Sequence, residues 1–193
     1  LCEKYNASLI VDEAHATGIT SNNGKGLVQL QQLEKRVFAR IHTFGKAMGC
    51  HGAIVVGSAL LRTFLINFSR SFIYTTALPM NSLIAINQAY KLLQRDTNGI
   101  DVLTNNIQLF KKGVASIHKI KLIESDSAIQ SIIIKGNEAV KKYSVELEKK
   151  GLDIRPILSP TVPKGKERLR ICIHAFNTES EINTLVNCIQ QTS

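Results

Sequence analysis

Two short segments hold side chains whose types and spacing could do chemistry. The first, Asp12-Glu13-Ala14-His15-Ala16-Thr17-Gly18, offers carboxylates, an imidazole and a hydroxyl. The second, His42-Thr43-Phe44-Gly45-Lys46, adds another imidazole, another hydroxyl and a primary amine. Each residue alone is more often a turn cap or a solvated charge. Together they suit pyridoxal phosphate, which needs a lysine to form a Schiff base and an acid beside its pyridinium nitrogen. Lys46 and Asp12 supply those two groups. A carboxylate there keeps the nitrogen protonated, so that the ring accepts carbanion electrons. His15, three residues after the acid, can reach the phenolic oxygen, and Thr43, three residues before the lysine, can contact the phosphate.

For these groups to converge, both segments must leave the same edge of a parallel sheet. Ala7 to Val11 is a short β-branched apolar run ended by Asp12-Glu13, which predicts a fully buried strand. The C-terminal ends of such strands are where α/β folds place ligands. Val37 to Thr43, Gly52 to Gly57 and Ser71 to Thr75 read as further strands, and the stretch containing Gly18, Asn22, Asn23, Gly24 and Gly26 reads as a loop. From Asn81 the apolar spacing turns helical, with a second helix over about Asp101 to Ile117. Then come a strand at Ala128 to Lys135, a helix from Glu138 to Lys150 stopped by Gly151, and strands at Leu152 to Arg155 and Arg168 to His174. A last helix, Thr178 to Gln190, opens with Thr178 and Glu181 in capping-box spacing. The expectation is an α/β first domain over 1–90 and a smaller α+β domain over 91–193.

Composition narrows the classes. The chain has 193 residues, 44% hydrophobic and 20% charged, the balance of a folded protein rather than a disordered tail. The longest apolar stretch, Gly52 to Leu61, is too short to span a bilayer, and no basic-then-apolar leader precedes the first strand. Leu1 is not an initiator methionine and runs almost directly into a strand, so the expectation is the later half of a longer chain. Cys2, Cys50, Cys172 and Cys188 form no C-x-x-C pair, which argues against a zinc knuckle or disulfide scaffold and for a reduced, cytoplasmic setting. The net charge of +9 is scattered, without the interleaved aromatics of a nucleic-acid platform. His42, His51 and His118 have no motif partner and read as structural or surface residues; His174 reads as a packed strand histidine and Cys50 as an inert buried thiol. Gly24-Lys25-Gly26 lacks the spacing and context of a phosphate loop.

D-E-A-H-A-T-G followed by T-F-G-K-A-x-G resembles the α-oxoamine synthase family of fold type I pyridoxal-phosphate enzymes. The resemblance continues through Ser71-Phe72-Ile73-Tyr74-Thr75-Thr76-Ala77-Leu78-Pro79, Ser127-Ala128-Ile129-Gln130 and Pro160-Thr161-Val162-Pro163-Lys164-Gly165 with Arg168-Leu169-Arg170. General aminotransferases lack the P-T-V-P element. The resemblance implies the later part of a large domain with a parallel or mixed sheet, then a small α+β domain. It implies that Lys46 is the Schiff-base lysine and general acid/base, that Asp12 pairs with the pyridinium nitrogen, and that His15 and Thr43 contact the phenolic oxygen and phosphate. Thr75 and Thr76 would reach the phosphate in the neighbouring subunit of a homodimer. Arg170, with Arg168 as the alternative, would bind the amino-acid carboxylate, a task suited to a planar guanidinium; Thr161 would lie near the acyl-chain or cofactor pocket. The implied reaction joins an amino acid to an acyl-CoA or acyl-carrier-protein thioester with loss of carbon dioxide. Met80 replaces a second proline of many relatives, and Ile157 to Ser159 extend the compact R-P-P-T-V-P form beside the pocket.

Overall fold

The apolar run ahead of Asp12 does form a strand, β1 (Ile10–Asp12), in the computed structural model of the chain, which describes residues 1–96, 98–118 and 120–192. The chain divides into two units, Leu1–Ile100 and Asp101–Ser193.

In the first unit β1 pairs in parallel with β2 (Ala39–Thr43), and β2 pairs antiparallel with β3 (Ala53–Gly57), giving the order β1-β2-β3. Parallel pairing sets Asp12 opposite Ile41, so the two motif segments leave the same edge of the sheet. Within these 193 residues β1 is paired on one side, and Leu9 and Ile10 are 38% and 57% exposed. Among the described residues, β2 is the strand with neighbours on either side.

Between β1 and β2 lies α1 (Leu27–Leu30), and after β3 comes α2 (Ala59–Phe68). The second was hidden in the sequence by the continuous apolar run from Gly52 to Leu61. Its start is set by Ser58, which has extended backbone angles and accepts a hydrogen bond from Leu61 N–H at 3.1 Å. The strand expected at Ser71 to Thr75 is instead a short helix, α3 (Arg70–Ile73), and a loop. Its aromatic and β-branched residues suit a strand. Yet the Ser69 carbonyl accepts from Phe72 and Ile73 N–H, and Arg70 from Tyr74, so local bonds satisfy this backbone. The long helix α4 (Met80–Arg95) follows, and the Phe44 and Tyr90 rings meet edge to face at 5.9 Å.

The second unit builds a core of its own. Four antiparallel strands, β4 (Lys121–Ile123), β5 (Ile129–Ile133), β6 (Arg155–Ile157) and β7 (Arg168–Cys172), stand in the order β4-β5-β7-β6. The helices are α5 (Gly99–Ala115), α6 (Asn137–Glu148) and α7 (Glu179–Thr192). Leu103, Ile107, Phe110 and Val114 recur at helical spacing on the buried face of α5. Ile132, Leu169, Ile171, Val140, Leu147, Ile182 and Ile189 are also buried. Truncating a side chain such as Phe110, which is fully buried, costs about 3–5 kcal/mol.

Gly151 ends α6 as expected: its φ is +81°, and Gly151 and Leu152 N–H donate to Glu148 and Leu147 carbonyls at 2.9 and 3.0 Å. That closure holds Leu152 in the turn, so the strand expected at Leu152 to Arg155 begins only at Arg155. Pro156 is tolerated because β6 is an edge strand, paired only with β7. The Thr178/Glu181 capping box is present in both directions, at 2.8 and 3.2 Å.

Candidate active site

Alternation along β2 divides its side chains between two faces, with Arg40 and His42 on one and Ile41 and Thr43 on the other. The first face and α4 line a cavity of about 400 Å³ that includes His42, Phe44, Ile54, Leu83, Ile86 and Tyr90. Asp12, His15, Thr43 and Lys46 do not line it. Those four belong to the C-terminal edge of the β1–β2 pair and the turns that leave it.

The Asp12 Oδ1 accepts a hydrogen bond from Ala14 N–H at 2.8 Å, which turns the chain at the strand end. Among the described residues, Asp12 Oδ2, the His15 ring and the Lys46 ammonium make no hydrogen bond or ion pair, and Asp12, His15 and Lys46 are exposed. Lys46 begins a tight turn in which its carbonyl accepts from Gly49 N–H at 3.0 Å, while Phe44 N–H donates to Gly52 O at 2.9 Å. The Thr43 hydroxyl oxygen is buried and has no hydrogen-bond partner among the described residues. Buried polar groups are ordinarily paired, so this one is suited to an acceptor such as a phosphate oxygen. A carboxylate oxygen, an imidazole, an ammonium and a buried hydroxyl, all unengaged beside one sheet edge, fit the donor set that pyridoxal phosphate requires.

Three neighbours that sequence reasoning left without roles are engaged within the protein instead. Glu13 is 1% exposed, and its carboxylate accepts from Leu27 and Val28 N–H at 2.7 and 2.8 Å, at the start of α1. A phosphate loop at Gly24-Lys25-Gly26 has no free amides to offer an anion: Gly24 N–H donates to Ser21 O, Lys25 N–H to Ser21 Oγ and Gly26 N–H to Thr20 O, while Leu27 and Val28 N–H hold Glu13. Gly24 and Gly26 serve close approach: a β-carbon at Gly24 would lie 2.6 Å from the Gly18 α-carbon. Thr17 and His42 are buried, with Thr17 Oγ1 at 2.9 Å from His42 Nδ1. Burial, and then the charge of Arg40, lower the His42 pKa, with Glu13 opposing them. No signal in sequence joins these residues, because their partners lie in other elements.

Other expectations resolve individually. Thr75 and Thr76 are exposed in the loop after α3. In the second unit Arg168 and Arg170 share the face of β7 opposite the buried Leu169 and Ile171. Arg168 is partly tied, its Nε donating to Lys166 O at 3.0 Å, whereas Arg170 is exposed and has no hydrogen-bond partner among the described residues. Thr161 is exposed in a turn closed by Val162 N–H to Leu158 O at 3.1 Å. His174 is not a packed strand histidine: β7 stops at Cys172, and the exposed ring stacks on Phe176 at 4.7 Å. Cys50 is partly exposed, not buried, and its thiol donates to Met48 O at 3.2 Å. Among the described residues no His/Cys/Asp/Glu group could hold a metal ion, and no helix is long and apolar enough to cross a membrane.

A profile of the aminotransferase class I and II family matches residues 1–189. The chain is 42% identical over 189 residues to an 8-amino-7-oxononanoate synthase of Emericella nidulans, covering 95% of this chain and 46% of that protein. The chain thus spans about half the length of the curated relatives it matches. A solved structure of SPT with a PLP internal aldimine superposes with a TM-score of 0.91 at 26% identity, over 99% of this chain and 48% of that one. The 8-amino-7-oxononanoate synthase of Francisella tularensis gives 0.86 at 29% identity, over 95% and 54%.

Proposed function

This chain belongs to the aminotransferase class I and II family, with its α/β fold, and from that premise we propose that it carries the lysine-bearing part of a pyridoxal-phosphate-dependent α-oxoamine synthase. The observation that carries the reading is the set of groups at one sheet edge that have no partner among the described residues: Asp12 Oδ2, His15, Lys46 and the buried Thr43 hydroxyl. Likeness to the Emericella and Francisella enzymes supports an 8-amino-7-oxononanoate synthase, which joins L-alanine to pimeloyl-CoA or a pimeloyl-carrier-protein thioester in biotin biosynthesis. The full protein is then a cytoplasmic homodimer, with Thr75 and Thr76 reaching the neighbouring subunit's phosphate. Its cofactor-binding domain contributes 1–90 of this chain, and the small domain 91–193.

When bound, the cofactor supplies an electron sink for the pair left on the amino-acid α-carbon. Asp12 keeps the ring nitrogen protonated, which makes that sink effective. His15 would donate to the phenolic oxygen, and the Thr43 hydroxyl would donate to the phosphate. Lys46 Nζ would hold the cofactor and, as a free amine, would take the α-proton and later return a proton to the product carbon. Arg170 grips the substrate carboxylate through paired N–H donors, with Arg168 the second candidate.

A second reading, a related synthase that uses glycine or L-serine with another acyl thioester, is favoured by Ile157 to Ser159, which lengthen the segment before Pro160-Thr161. Turnover of the full-length protein with L-alanine, glycine and L-serine against short and long acyl thioesters separates the two. The expected result is preference for L-alanine with a pimeloyl thioester and one carbon dioxide released per product. Transamination without carbon dioxide release overturns both readings. Lys46→Ala is expected to abolish turnover and the absorption of the lysine-bound cofactor.

A further inference from the structure

We propose that His42 is a positioning residue, fastening the segment that carries Asp12 and His15 to the strand that carries Thr43 and leads to Lys46. Thr17 Oγ1 lies 2.7 Å from the Glu13 carbonyl oxygen and 2.9 Å from His42 Nδ1. A hydroxyl has one hydrogen to give, and a carbonyl oxygen can only accept. The Thr17 proton therefore goes to Glu13 O, and His42 Nδ1–H must donate to Thr17 Oγ1. This selects the Nδ1–H tautomer of the neutral ring. The bond also persists when the ring is protonated, because both ring nitrogens then carry hydrogen.

The link closes a gap in the scaffold. Regular pairing of β1 with β2 ends at Asp12 opposite Ile41, and Glu13 N–H donates to Ile41 O at 2.8 Å just beyond it. After that the chain leaves the sheet. Ala16 and Thr17 N–H both return to Glu13 O, at 2.9 and 2.8 Å, and His42 then ties Thr17 back to β2. His15 lies between these two anchors, Glu13 and Thr17. Its ring is exposed, so its placement depends on the backbone held from either side. Glu13, Thr17 and His42 are 1%, 2% and 7% exposed, so water competes little for the connection. His42 itself points to the face of β2 opposite Thr43 and touches no reacting group. It acts through Thr17.

The inference rests on the proposed cofactor role of His15 and Asp12, and its test separates the two. In the full-length protein, His42→Leu and Thr17→Val remove the link, whereas His42→Asn keeps an N–H near the position of Nδ1–H. The first readout is amide hydrogen exchange over residues 13–18 in the cofactor-free protein. His42→Leu and Thr17→Val are expected to speed it about tenfold, and His42→Asn to restore it. The second readout is the affinity and absorption spectrum of bound pyridoxal phosphate. Affinity is expected to fall about fivefold in the first two variants and to return in His42→Asn, with the double variant no worse than Thr17→Val alone. If His42→Leu does not fold, Thr17→Val reads the same link from its other end. Wild-type exchange and spectrum in Thr17→Val, or no rescue by His42→Asn, overturns the inference. A wild-type protein that shows the exchange pattern but takes up no pyridoxal phosphate overturns the proposed function and leaves the tie standing.

Discussion

Glu13 and Gly26 form one fitted contact: a β-carbon at Gly26 would lie 2.8 Å from Glu13 Oε2, the oxygen that accepts from Leu27 N–H. Glycine is required there twice over, because Gly26 also has a φ of +101°. The contact lets a buried carboxylate cap two amides at the start of α1 and so draw the loop after Gly18 back against the end of β1.

Breaking that contact tests its structural role. Glu13→Ala leaves two amides without their acceptor and is expected to lower stability by roughly 3 kcal/mol in urea denaturation. Glu13→Gln, which keeps one acceptor oxygen, is expected to lose about half as much. Gly26→Ala combines backbone strain with the close approach and should cost more than about 2 kcal/mol.

Thr43→Val is expected to act in opposite directions on fold and function. The hydroxyl has no partner among the described residues, so an isosteric methyl leaves the stability of the cofactor-free protein unchanged or slightly higher. Pyridoxal phosphate affinity is expected to fall about tenfold with the loss of one hydrogen bond to a charged oxygen. Thermal denaturation without cofactor and titration with cofactor measure the two effects. An equal loss of both would contradict the role assigned to Thr43.

The pH dependence of stability should show two acid windows. Burial and Arg40 lower the His42 pKa from 6.5, so the folded state favours the neutral ring. Its contribution is complete above 6.5 and is lost as pH falls from there through the folded value. Glu167 has its pKa lowered from 4.5, first by the Gly136 N–H, and then by its own N–H and that of Gly165 despite opposing desolvation. Its contribution is present above 4.5 and disappears below it. His42→Asn is expected to flatten the upper window and leave the lower one. Denaturation midpoints across this pH range decide the matter.

Arg170→Ala is expected to raise the KM for the amino acid about tenfold or more while leaving that for the acyl thioester nearly unchanged. Arg168→Ala is expected to do less, since its Nε is already bonded to Lys166 O. Equal losses for both substrates in Arg170→Ala would remove the carboxylate role.

The sequence carries the edge of the site plainly, because an acid directly after a β-branched apolar run marks a strand end, and parallel pairing then brings Asp12 and Thr43 to one side. Local signals also suffice for Gly151 and for the Thr178/Glu181 cap, each of which acts within its own turn. The same local reading misleads where neighbours decide. Phe72 and Ile73 have strand chemistry but helical hydrogen bonds, and Ser58 starts a helix inside an apolar run. The Glu13, Thr17 and His42 network is illegible for the same reason. Glu13 finds its amides at Leu27 and Val28, and Thr17 meets His42 across the sheet edge.

Pro156 has a further consequence. An outermost strand ordinarily offers free N–H groups to any passing extended peptide, which is how sheets recruit unwanted strands and begin to aggregate. On β6 one of those donors is missing, and Arg155 next to it is charged. The border of the second unit's sheet is thus a poor template for growth, and the same short strand that presents Arg155 opposite Arg170 also guards the molecule against self-association through that edge.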